Sequence, residues 1–185
     1  MKGGGTAFRG VVLVGFMGAG KSSVGKVLAE RLEAEFVDVD DRVERSAGRS
    51  IGEIFATEGE KAFRGMEKAA IREALSVSRR VVAVGGGAFL DEENRRLLKA
   101  YAPVAFLDVS WDSVIARLSG DRSRPLFPGG KEEGKLRDLM ERRRPAYQEA
   151  DFTVSTDNRP VSEVADAVSD LLARETCRGR EGEGG

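Results

Sequence analysis

VVLVGFMGAGKSS, residues 11–23, is the stretch on which the fold turns. Four apolar residues, Val11 to Val14, run into Gly15-Phe16-Met17-Gly18-Ala19-Gly20-Lys21-Ser22-Ser23. The string fits G-x-x-x-x-G-K-[ST] and sits between an apolar run and a helical pattern, the context this motif requires. Glycines let backbone N–H groups turn inward around phosphate oxygens without a Cβ in the way. The start of the following helix adds its dipole. Lys21 can reach β- and γ-phosphates, and the Ser22 hydroxyl can ligate Mg²⁺. The chain is therefore expected to bind a nucleoside triphosphate through Gly18, Ala19, Gly20, Lys21, Ser22 and Ser23. GTPases, ATPase motors and small-molecule kinases all remain open at this point.

Outward from that turn, apolar β-rich runs recur at 35–39 (EFVDV), 81–84 (VVAV), 103–109 (PVAFLDV) and 151–155 (DFTVS). Helical spacing fills the intervals. Residues 22–34 align Val24, Val27, Leu28 and Leu32, and residues 60–76 align Phe63, Met66, Ala70 and Leu75. Residues 91–100 open with acids suited to a helix N-terminus. Residues 111–120 end on Gly120, a C-cap signal, and helices are expected again over 135–150 and 159–174. Strand and helix in alternation predict an α/β fold, a three-layer doubly wound sheet with ligands at the carboxyl ends of its strands. SGDRSRPLFPGGKEEG (119–134) breaks the rhythm with Gly, Pro and charge. Loops of that length in compact domains are either functional or disordered, and a lid is the functional reading.

A second glycine cluster closes VVAVGGGAFL (81–90), with Gly85, Gly86 and Gly87 in a row. It lacks the Lys-Ser of the first, so it does not read as a second phosphate loop. The acid that a P-loop protein needs near Mg²⁺ is also missing from this run. It appears instead in Phe36-Val37-Asp38-Val39-Asp40-Asp41, where Asp38 and Asp40, two apart on an extended chain, would face one side. One can hold Mg²⁺ through its waters; the other can take a proton from an acceptor hydroxyl. The bland alternative is a set of solvated acids at a strand–helix junction, with Asp41 as N-cap.

Composition narrows the classes. At 185 residues, 41% apolar and 33% charged, the chain reads as one ordinary globular domain. Thirty basic and 31 acidic residues nearly cancel, which gives no global argument for nucleic acid or an anionic membrane as partner. There is no histidine, so acid–base work falls to carboxylates, lysine or water, and an imidazole zinc site is excluded. One cysteine, Cys177, forms no intrachain disulfide, which suits a reducing cytoplasm. MKGGGTAFRG has no apolar signal core, and no run is long enough to span a bilayer.

With these blocks in hand, GFMGAGKSSVGKVLA, FVDVDDRVE, GRSIGEIFATEGEKAFRGMEK, VVAVGGGA, RSRPLF and ERRRPAYQEAD together resemble the shikimate kinases, in that order and over roughly residues 10–172. The resemblance implies a nucleoside-monophosphate-kinase-like fold with a five-stranded parallel sheet in the order 2-3-1-4-5. It implies ATP-dependent phosphorylation of the shikimate 3-hydroxyl, with one Mg²⁺ per subunit, in a cytoplasmic monomer. It also implies a substrate-binding segment over about 40–68 and a lid over about 119–134, inside a kinase domain spanning 10–174. Residues 1–9 would be a flexible start and 175–185 a disordered tail.

Residue by residue, the resemblance implies Asp38 with Ser22 at the metal, and Asp40 on the shikimate hydroxyls as general base. It implies Arg64, with Glu67 nearby, and Gly85, Gly86 and Gly87 around the substrate. Arg124 would meet the transferring phosphate, with Lys21. Arg117, Arg159 and Pro160 would contact adenine. Arg143 would be the second carboxylate ligand, with Arg144 as its competitor in the run Arg142-Arg143-Arg144. Planar bidentate cations suit a carboxylate, so two arginines agree with this substrate. Taken singly, Arg64 could merely pair with Glu60 or Glu67 on its helix, and the arginine run could be a solvated face. Rival readings are a gluconate or nucleotide kinase, a GTP switch (for which no N-K-x-D string occurs), and a P-loop domain without catalysis.

Overall fold

The central strands are buried almost throughout, and this sets the architecture. β1 (Gly10–Val14) is buried at all five positions; it feeds the P-loop and α1 (Lys21–Arg31). In the computed structural model, which describes residues 8–120 and 131–181, the chain continues through β2 (Glu35–Asp38), α2 (Val39–Ala47), α3 (Ile51–Thr57) and α4 (Gly59–Leu75). Next come β3 (Arg80–Ala83), a 3-10 turn at Ala88–Leu90, α5 (Glu92–Tyr101), β4 (Val104–Asp108) and α6 (Trp111–Gly120). After the interval 121–130, α7 (Lys131–Tyr147), β5 (Phe152–Ser155) and α8 (Val161–Glu181) complete the described chain.

All strand pairs are parallel, in the order β2-β3-β1-β4-β5, as the family resemblance implies. Val12 sits opposite Val82 on one side and Val104 on the other. β3 is buried throughout, while the edge strands β2 and β5 alternate between buried and open positions. That is the expected contrast between strands covered on both faces and strands at the rim. α1 packs against α8 on one side, and α4 packs with α2, α3 and α5. The parallel arrangement brings the P-loop, the triglycine turn, Asp38 and Asp108 to one edge, the carboxyl ends of β1, β3, β2 and β4.

Two local expectations change, at Asp38 and at the end of α8. The run 35–39 ends as a strand at Asp38, so Asp38 and Asp40 do not share an extended segment. Asp38, rather than Asp41, is the N-cap of α2: its Oδ1 accepts from the Asp40 N–H at 3.1 Å. A short acid just before a helix satisfies an orphan N–H, and this local bond outcompetes strand extension. The triglycine turn carries no positive φ; the left-handed glycines of the two loops are Gly15, Gly18 and Gly20, all in the P-loop. A turn requirement therefore does not explain Gly85–Gly87. Finally, α8 runs to Glu181, through residues assigned above to a disordered tail. Residues 175–181 contain no proline, and their one poor helix former, Gly179, sits in the last turn, so the helix propagates past the domain end expected at 174.

Candidate active site

The P-loop is held open by glycine and presents its amides. Gly20, at φ +87°, precedes α1 without any side-chain cap, so the first N–H groups of that helix are left for an anion. Gly18 lies against α6: a Cβ there would stand 3.8 Å from Val114. Lys21 Nζ donates to the carbonyls of Gly15 at 2.9 Å and Phe16 at 3.2 Å, which keeps the ammonium over the loop. Ser22 Oγ donates to Asp38 Oδ2 at 2.6 Å. A hydroxyl and a carboxylate in contact are hard oxygen donors, the set that Mg²⁺ prefers. Mg²⁺ keeps several waters and takes phosphate oxygens, so two protein oxygens beside a phosphate loop fit it.

Asp40, in the first turn of α2, points to β3. Its Oδ1 is buried without a hydrogen-bond partner among the described residues. Burial, then the Asp38 carboxylate, push its pKa up from 3.8 to about 6; Lys21 acts in the opposite direction, and Glu67 and Glu44 add to the rise. Glu67 is 1% exposed, because it lies on the face of α4 that carries Phe63, Ala70, Ile71 and Ala74 into the core. Its Oε2 accepts from Arg64 at 2.8 Å, while Oε1 has no hydrogen-bond partner among the described residues. Burial raises its pKa, and the hydrogen bond and charge of Arg64, then Arg143, pull it back. Arg64 also bonds Glu60 and lies over the Phe63 ring at 5.2 Å, so the bland helix pairs exist, but they aim the guanidinium at the triglycine turn.

That turn is where the groups meet. A Cβ on Gly85 would stand 2.6 Å from Asp40 Oδ1 and 3.1 Å from Glu67 Oε1. On Gly86 it would stand 3.1 Å from Arg143 and 3.2 Å from the Tyr147 hydroxyl, and on Gly87 2.5 Å from Arg64. Each glycine thus makes room for one side-chain group: a carboxylate pair, then one arginine, then the other. Gly86 also lies beside the P-loop, where its Cβ would be 3.6 Å from the Gly15 carbonyl.

The competing arginines of α7 separate. Arg144 pairs with Asp108 at the end of β4, at 2.9 Å. Arg143 instead lies beside Gly86 and 6.0 Å over the Phe16 ring, its Nε buried without a hydrogen-bond partner among the described residues. Arg117 donates to the Gly18 carbonyl at 2.8 Å and to the Thr156 carbonyl at 2.6 Å, so it braces the P-loop against the end of β5. Arg159 bonds Ser155 and Glu163 carbonyls, and Pro160 accepts the first turn of α8 through Val164. Ser23 is exposed at the start of α1. Arg124 lies outside the described residues, as does most of the expected lid; its last four positions, 131–134, begin α7.

Three features escaped the sequence reading. Tyr147 closes α7 with its hydroxyl on the Gly86 carbonyl. Phe55 and Phe63 stack at 4.8 Å beside Arg64, with Phe55 39% exposed. Asp108 holds Arg144. Only Phe63 had a readable signal, its place next to Arg64; the others depend on packing between distant segments.

Known proteins resemble this chain in sequence and fold. A family model described as shikimate kinase matches residues 17–173. The shikimate kinase of Geobacter sulfurreducens is 45% identical over 164 residues, which span 89% of this chain and 91% of that protein. The shikimate kinase of Persephonella marina is 40% identical over 166 residues, 90% of this chain and 98% of its own. Among solved structures, a shikimate kinase from Acinetobacter baumannii in complex with shikimate has a TM-score of 0.84 at 38% identity, covering 91% of this chain and 94% of that one.

Proposed function

The chain belongs to the shikimate kinase family, and on that premise we propose that it transfers the γ-phosphoryl group of ATP to the 3-hydroxyl of shikimate. The products are shikimate 3-phosphate and ADP, in the biosynthesis of chorismate and aromatic amino acids. The observation that carries this reading is the convergence of Arg64, Arg143 and the buried Asp40–Glu67 pair on Gly85–Gly87, next to the P-loop. An acceptor with one carboxylate and several hydroxyls matches two guanidinium forks and a buried acceptor oxygen.

Arg64 and Arg143 bind the carboxylate, and Glu67 fixes Arg64 from inside the core. Asp40 accepts the proton of the attacking hydroxyl as its oxygen bonds to the γ-phosphorus and the bond to the bridging oxygen of ADP breaks. A base with a pKa of about 6 is ionised at neutral pH and can still take that proton. Gly18 to Ser23 cradle the phosphates, and Lys21 and Arg124 meet the charge that spreads over the transferring group. Ser22 directly, and Asp38 through water, would hold one Mg²⁺, which neutralises phosphate charge. Arg117, Arg159 and Pro160 border the adenine, with Arg117 also fixing the loop. Residues 40–68 form the substrate-binding segment and 119–134 the lid, within a kinase domain beginning at residue 10. We propose a cytoplasmic monomer.

The test is a coupled assay of ADP release with ATP and Mg²⁺ and, in turn, shikimate, gluconate and nucleoside monophosphates. Stimulation by shikimate well above the others is expected. A chain that shikimate does not stimulate is not acting as this kinase.

A further inference from the structure

Tyr147 is the last residue of α7 and is 1% exposed. Its ring packs on Phe106 of β4, with centroids 5.3 Å apart. Its hydroxyl donates to the Gly86 carbonyl, 61 residues away in sequence. The same hydroxyl faces Arg143, whose charge and hydrogen bond oppose the upward push of burial on the tyrosine pKa. A Cβ on Gly86 would meet Arg143 and Tyr147 at nearly equal distances, 3.1 and 3.2 Å, so the two groups close on one point of the turn. One turn earlier, Arg144 anchors α7 to Asp108. Between these anchors, Pro145 has no N–H to give the helix, which weakens its hold on its own register.

We propose that Tyr147 is a positioning residue for the acceptor: its hydroxyl ties the Gly86 carbonyl to α7 and so sets the triglycine turn and Arg143 in a single register. A peptide group is planar, so the bond that holds the Gly86 carbonyl also fixes the direction of the Gly87 N–H on the floor of the site. The role proposed for Tyr147 requires no contact with substrate or nucleotide. Tyr147 acts through two groups that make such contact, and this rests on the reading that Arg143 and the triglycine turn take the acceptor.

Tyr147→Phe keeps the buried ring and removes only the hydroxyl. The Michaelis constant for shikimate is expected to rise about 3- to 10-fold, the worth of one buried hydrogen bond, with that for ATP within about twofold. Arg143→Lys keeps the charge, loses the fork and raises the shikimate constant by itself. In the double variant the combined rise is expected to fall short of the product of the two, because the groups act together. An unchanged shikimate constant in Tyr147→Phe overturns the proposal. So does a parallel rise for shikimate and ATP with a lowered melting temperature, or a double variant that equals the product. If Arg143→Lys leaves shikimate binding untouched, the assignment of Arg143 itself is wrong and the proposal goes with it. A normal response of Arg143→Lys beside a silent Tyr147→Phe rejects the proposal alone.

Discussion

Asp40 shows how a carboxylate is kept basic without losing its place. It is held by the backbone of α2, crowded by Asp38, Glu67 and Glu44, and relieved by Lys21. The folded protein binds its proton more tightly than the unfolded chain does, because its pKa goes from 3.8 to about 6. Between those values stability therefore falls as pH rises, and above them the penalty is fully present. Asp40→Asn should raise the melting temperature at pH 7.5 while lowering turnover about 10²- to 10⁴-fold. In the wild type, kcat/KM should fall about tenfold per pH unit below pH 6, the limb of a single essential base. An Asp40→Asn enzyme that keeps that limb would assign it to another group. The glycines that receive Asp40 and Arg64 make a second prediction at this scale. Gly85→Ala and Gly87→Ala place a Cβ at 2.6 and 2.5 Å from side-chain ends, which can move, so the fold should survive. The displaced carboxylate and guanidinium should cost about 10²-fold in kcat/KM for shikimate, with nucleotide affinity retained. Equal loss of nucleotide binding would show the turn to be a support of the whole fold.

At the scale of elements, what was legible in the sequence was whatever depends on nearest neighbours. The P-loop could be read because strand, glycines, Lys21, Ser22 and helix follow one another directly. The sheet order was implied by the family likeness rather than by any periodicity. The end of β2 was misread because Asp38 does two jobs: it is the last residue of β2 and, by accepting from the Asp40 N–H, the N-cap that starts α2 at Val39. The triglycine turn was expected around the substrate; the structure adds that side chains from α2, α4 and α7 reach in where a Cβ would otherwise stand, and no local pattern encodes such meetings. Tyr147 was invisible for the same reason. Packing between elements is nevertheless testable residue by residue. Gly25 of α1 faces Phe36 of β2, and a Cβ there would stand 2.3 Å from the ring. Gly25→Ala gains helix propensity but overpacks a sheet–helix contact, a net cost of about 1–3 kcal/mol. In a chain of this size the melting temperature should fall by roughly 2–12 °C, read by calorimetry. An unchanged melting temperature would mean that α1 can shift away from β2 freely.

Across the whole molecule, two helices connect the two halves of the site. α6 is rooted on the donor side, where Arg117 bonds the Gly18 carbonyl and Val114 lies under Gly18. α7 is rooted on the acceptor side, where Tyr147 bonds Gly86 and Arg144 pairs with Asp108. The ten residues 121–130 join these helices and carry Arg124. On the function proposed above, the chain links Arg124 through one helix to groups of the nucleotide side and through the other to groups of the acceptor side. In the loose transition state charge spreads over the oxygens of the transferring group and builds on the leaving bridging oxygen, and a cation that meets it only then lowers the barrier without tightening ground-state binding. Arg124→Ala should therefore reduce kcat on the order of a thousandfold, as loss of an arginine finger does, while the dissociation constant for ATP moves by less than about threefold. Single-turnover rates beside nucleotide titration separate the two effects. If ATP affinity falls as far as turnover, Arg124 belongs to the nucleotide pocket at rest, and the tie between the two halves must run through α7 and Tyr147 alone.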